Sequence, residues 1–138
     1  MKKIILLIAV FTISINYAQE TAAAIESENR ECLENATPAT MSVVECEDRA
    51  KDAWENLMEE LYRQLREHPR QASVSLLFDS QTHWIRFQQA DLAYHRAFYY
   101  NLYEGGTMAL VAVASHEKKQ FRDRALYLLA FLEELQEE

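Results

Sequence analysis

Glycine, proline and cysteine are nearly missing from this chain, with two of each among 138 residues. So little glycine excludes the Gly-rich loops that cradle phosphates, and neither a P-loop nor a GxGxxG run occurs. So little punctuation also excludes the many tight turns of a sandwich or barrel, and no run of alternating β-branched residues supports a sheet. Two cysteines without a CxxC spacing exclude the common zinc frameworks. The four histidines, at 68, 83, 95 and 116, contain no HExxH, so spacing predicts no metal site. GxSxG is absent as well. Positive charge is scarce, 14 Lys and Arg against 22 Asp and Glu, a formal net charge of −8. That balance repels nucleic acid and anionic membrane surfaces alike.

One apolar run is present, and it stands at the N-terminus. Lys2 and Lys3 precede a stretch from Ile4 to Ile15 that is apolar apart from Thr12 and Ser14, and Ala18 offers a small residue for cleavage. The pattern predicts a signal peptide over 1–18 and a mature chain from Gln19. An uncleaved anchor is the alternative reading, although the run falls short of the ~20 residues that a span requires. No later segment is apolar enough to span. Loss of the two signal lysines takes the formal charge from −8 to −10. Residues 19–138 then form one domain, large enough for a single modest core. The charge suits a cationic partner, or simply keeps an exported protein in solution. In an oxidising compartment, periplasmic or extracellular, Cys32 and Cys46 read as one disulfide.

The rest of the chain reads as helix. Thr37 as an N-cap with Pro38 at the first helical position, then Pro69 and Gly105-Gly106, mark the breaks. Residues 19–36 have helical composition but little apolar content and predict a short helix near Cys32. A first long helix is expected over about 40–67, with Val43, Cys46, Ala50, Trp54, Leu57, Leu61 and Leu65 on one stripe. A second, over about 71–103, carries Val74, Phe78, Ile85, Leu92, Tyr99 and Leu102, interrupted by Gln81, Gln88 and His95 seven apart. A third, over about 108–135, carries Val111, Ser115, Lys118, Phe121, Ala125, Leu128, Leu132 and Leu135. The expected fold is all-α: an antiparallel three-helix bundle with a short N-terminal helical segment tied on by one disulfide.

No constellation of catalytic residues appears, and neither enzymatic activity nor a cofactor is expected. Three features invite a functional reading beside a structural one. The line Gln81, Gln88 and His95 could open a small polar pocket, or could hydrogen-bond across helices and fix their register. Phe87, Tyr94 and Phe98 could form an exposed contact patch for a partner or a second copy. Otherwise they belong to a central helix touched on two sides. Gly105, Gly106 and Thr107 form a helix–helix turn, with Thr107 as the expected cap, or a tip presented to a partner.

The order of residues along the chain resembles the LprI-type lysozyme-inhibitor family, small exported helical domains. The matching elements are Cys32, then Thr40 and Cys46, then Glu55, Met58, Tyr62 and Leu65. Gln81 and Trp84 follow, then Gly105, Gly106 and Thr107, and finally Arg124 and Leu128. The resemblance implies that Tyr62, Gln81, Trp84, Gly105, Gly106 and Arg124 are mainly structural. It leads one to expect Arg-Asp and a cysteine after Trp84, where this chain has Gln88, Gln89 and Leu92. It also leads one to expect a cysteine at 116, occupied here by His116, and an asparagine at 59, occupied by Glu59. A second disulfide between 92 and 116 is therefore missing as a pair.

What the resemblance implies is binding: inhibition of lysozyme, a cationic glycoside hydrolase, by protein–protein contact. The contact residues expected from the sequence are Gly105, Gly106 and Thr107 at the tip and Phe87 and Tyr94 on the aromatic flank. The alternative is a cell-envelope interaction module that self-associates through the second long helix.

Overall fold

The computed structural model describes residues 2–136, with side chains from Ser14 onward. The side chains of residues 1–13, which carry the basic start and most of the apolar run of the expected signal, lie outside that description, as do Glu137 and Glu138. Four helices follow one another: α1 (Lys2–Asn35), α2 (Thr40–Glu67), α3 (Val74–Leu102) and α4 (Met108–Glu134). No strand occurs among the described residues. The chain is all-helical, as expected, but the N-terminal segment is a full-length helix rather than a short one. Its contribution to the core is a stripe of Ile15, Ala18, Ala22 and Ile25, spaced by three and four. Ile15 and Ala18 fall within the expected signal peptide, and only Ala22 and Ile25 lie in residues 19–36, whose low apolar content hid a packing face.

The core forms where α1, α2 and α4 meet. Cys46, Ala50, Trp54, Leu57, Leu61 and Leu65, on the stripe the sequence marks, are buried along α2, with Met58 beside them, while Val43 is half-buried. Phe121, Ala125, Leu128, Leu129 and Leu132 are buried along α4. Trp54, Leu61, Leu128 and Leu132 are the largest side chains fully withdrawn from solvent. Each such burial stabilises by about 1.5–3 kcal/mol before conformational entropy is set against it.

The contacts fix the directions of the helices. Thr40 meets Thr107 and Glu47 meets Lys118, so α2 and α4 run parallel. Cys32 meets Cys46, and Glu26 meets Arg122, so α1 is antiparallel to both. The parallel α2–α4 pair makes the most extensive interface, and α3 rests mainly on α4. This corrects the expectation of a central second long helix. Its supposed apolar seam is not one, because Val74, Phe78, Ile85 and Leu102 are exposed. The polar line is what turns inward, with Gln81 and Gln88 buried against α4.

Helix ends also differ in detail from expectation. Ala39, not Thr37, precedes α2 and gives no side-chain cap. Ser73 starts α3 by accepting a hydrogen bond from Leu76 N–H at 3.3 Å. Thr107 does not cap α4 with its side chain; its hydroxyl lies 3.2 Å from that of Thr40.

Candidate partner-binding surface

The α3–α4 contact brings Gln81, Trp84 and Arg124 together. Arg124 donates through Nε to Gln81 Oε1 at 3.0 Å and through Nη2 to Ser80 Oγ at 3.1 Å. Its guanidinium carbon lies 5.6 Å from the Trp84 ring centroid and 5.1 Å from that of Tyr127. Burial pushes the Arg124 pKa down. Trp84 meets Phe121 edge to face with ring centroids 5.6 Å apart. Gln81 also points its amide nitrogen at Met58 Sδ, 3.6 Å away on α2. These groups are spent on one another, so they position helices and do not face a ligand. Tyr62 packs half-buried against the core.

Further along the same seam, Gln88 donates to Gln120 Oε1 at 3.3 Å, and Gln120 donates to Asp91 Oδ2 at 2.7 Å. His116 Nε2 lies 2.9 Å from that same Asp91 oxygen. The hydrogen bond from His116 holds the Asp91 carboxyl below its ordinary value. The polar line is thus a packed hydrogen-bonded register, the structural of its two readings. Its third member, His95, is only half-buried and stacks on His116. Asp91, His95 and His116 converge in space, a grouping that spacing along the chain does not reveal. Sequence spacing misses such a grouping because its members stand on two helices, 25 positions apart in the pairing of Asp91 with His116.

Phe87 and Tyr94 are indeed outward, 62% and 65% exposed, and Tyr94 stacks on Phe98. The expectation that a second neighbour covers this flank is overturned, because α3 has one principal neighbour. Gly105, Gly106 and Thr107 form the exposed turn into α4. Gly105 takes φ +74° and donates its N–H to Tyr100 O at 2.8 Å, a helix termination that favours glycine. A Cβ on Gly106 would sit 3.0 Å from Tyr103 O. Both glycines are therefore explained by the turn itself.

The charge is distributed very unevenly over this frame. Residues 19–67, on α1 and α2, hold thirteen acids against five bases, a net −8. Residues 68–138 hold nine against seven, a net −2. Beside the disulfide, α1 and α2 open a groove of about 480 Å³ lined by Glu28, Glu31, Glu45, Asn29 and Arg49. The three glutamates are exposed. Beneath them Asn29 Oδ1 is buried with no hydrogen-bond partner among the described residues, an acceptor beside the acidic rim. The Cys32–Cys46 disulfide, with Cα atoms 5.7 Å apart, fixes the two helices at this end. None of these groove residues was marked as a contact by the sequence reading. The signal available was the charge of the first half of the mature chain, which an average over the whole chain conceals.

No helix among the described residues is long and apolar enough to cross a membrane. A family profile described as lysozyme inhibitor LprI matches residues 32–128. No curated protein and no solved structure matches the chain.

Proposed function

The chain belongs to the LprI lysozyme-inhibitor family, and on that premise we propose that it is an exported binding protein that inhibits lysozyme by protein–protein contact. The observation that carries this reading beyond family membership is the concentration of negative charge on α1 and α2 around the groove at the disulfide. A cationic partner is drawn to that face at long range, and Glu28, Glu31 and Glu45 would meet its lysines or arginines at contact. The disulfide holds the groove's two walls in place before binding, which lowers the ordering cost of association. Function here is steric and electrostatic, with no chemical step by this chain. The signal over residues 1–18 would deliver it to the periplasm or beyond the cell, where lysozyme acts and where the disulfide persists.

Titration of the mature protein, residues 19–138, into lysozyme at low and moderate salt tests the reading. Saturable binding with loss of turnover is the expected result, weakening as salt rises. Absence of inhibition at both salt concentrations sinks it.

A second reading rests on a different observation, the open aromatic flank of α3. Phe87, Tyr94 and Phe98 would be covered by a second copy of the chain in a self-associating envelope module. A monomeric mass by sedimentation across a hundredfold range of concentration, about 1–100 μM in the Kd span of weak dimers, rules that out.

A further inference from the structure

We propose that Asp91, His95 and His116 form a binding site for one divalent transition-metal ion of the zinc class. The three side chains each offer one ligand atom, and those atoms all lie within 4.8 Å of one another. Asp91 and His95 stand four apart on α3, on one helix face, and His116 reaches across from α4. The imidazoles stack with centroids 3.5 Å apart and planes 19° from parallel, which brings two aromatic nitrogen bases side by side.

Distances decide the class of ion. With bonds of about 2.0–2.1 Å to zinc, neighbouring ligand atoms of a tetrahedron stand ~3.3–3.4 Å apart. Asp91 Oδ2 is 2.9 Å from His116 Nε2 and 3.4 Å from His95 Nδ1. A set of two imidazoles and one carboxylate suits zinc and its neighbours over calcium or magnesium, which take oxygen ligands. To bind through Nδ1, His95 would exchange its 3.0 Å contact with Asp91 O for the ion. The flexible element is one imidazole, not the backbone.

The surroundings are those of a supported site. Gln120 holds the Asp91 carboxylate, and Gln88 in turn holds Gln120, an orienting chain behind the ligand. An open groove lined by Trp84, Phe87, Asp91 and Gln120 gives solvent access to the carboxylate side. The ligands themselves retain 20–25% side-chain exposure. Three protein ligands leave a fourth position for water or for a side chain of a partner. Because α3 rests mainly on α4, an ion bridging the two helices would fasten the least-held helix of the bundle.

The test uses the mature protein with CoCl₂ and ZnCl₂ as probes. The expected result is saturable binding of one Co²⁺, seen as visible d–d bands, displaced by Zn²⁺. With it comes a Zn²⁺-dependent rise in Tm. His116→Gln and His95→Gln should each weaken binding at least about tenfold. His83→Gln, an exposed histidine elsewhere on α3, should not. Histidine-ring NMR of the unmodified protein gives an answer that does not depend on the variants folding. Zn²⁺ should shift the rings of His95 and His116 and leave His68 and His83 in place. Absence of saturable binding by the unmodified protein overturns the proposal, as do ring shifts at His68 or His83 instead, or unchanged affinity in both folded glutamine variants.

Discussion

Arg124 on α4 and Gln81 on α3 are joined by a 3.0 Å hydrogen bond from Nε to Oε1, in a place where both residues are buried. The bond is charge-assisted and directional, and it selects which face of α3 turns toward α4. Lysine cannot reproduce the guanidinium fork that also reaches Ser80. Arg124→Lys should therefore destabilise the fold by about 1–3 kcal/mol, the usual cost of leaving a buried partner unsatisfied. Urea denaturation measures the loss, and faster amide exchange confined to α3 would locate it.

Lys118 and Glu47 form the most enclosed ion pair among the described residues, Nζ to Oε2 at 2.5 Å, linking the parallel helices α2 and α4. Glu47 is nearly inaccessible. Lys118→Met leaves its charge buried and alone, and should cost about 3–5 kcal/mol. Replacing both, as Lys118→Met with Glu47→Leu, should recover most of that loss. Thermal melts of the two single variants and the double variant separate these cases. A double variant no more stable than the worse single one contradicts the account.

His68 is buried at the end of α2, and its Nδ1 accepts a hydrogen bond from the Arg70 backbone N–H at 3.2 Å. Desolvation first, and the nearby Arg70 charge second, push its pKa down. The unfolded chain therefore takes up this proton before the folded one does. The neutral-histidine contribution is complete above the unfolded value of about 6.5 and is lost as pH falls from there through the lower folded value. Stability by denaturant titration should drop between pH 7.5 and pH 5.5, and the drop should be smaller in His68→Gln.

The disulfide closes a sequence separation of 14 and ties α1 to the first half of α2. Replacing both cysteines by serine should lower stability by about 3 kcal/mol on the chain-entropy account. The same loss should appear in unmodified protein under reducing conditions. A reduced protein of unchanged midpoint would show that burial alone holds α1.

The sequence made much of the fold legible, and the reasons are specific. The α2 stripe from Cys46 to Leu65 and the α4 stripe from Phe121 to Leu132 announce themselves because large apolar residues recur at helical spacing. The α1 face is not legible because Ala22 packs through backbone proximity rather than bulk, and because a mature chain that begins at Gln19 excludes both Ile15 and Ala18. The α3 face was inverted for a physical reason. Periodicity scores Phe78 and Ile85 as core, while Arg124, Gln120 and His116 on α4 supply hydrogen-bonding partners that draw Gln81, Gln88 and Asp91 inward. The acidic groove could not be read from spacing at all. Glu28, Glu31 and Glu45 come together only when the α1–α2 hairpin closes.

The most direct measurement of the central claim is lysozyme turnover against increasing mature protein, run in parallel with the folded triple variant Glu28→Gln, Glu31→Gln, Glu45→Gln. The account predicts saturable inhibition by the unmodified protein. Three exposed charge contacts at about 0.5 kcal/mol each should make the variant roughly tenfold weaker. Unimpeded turnover with the unmodified protein, or equal inhibition by the variant, would contradict it.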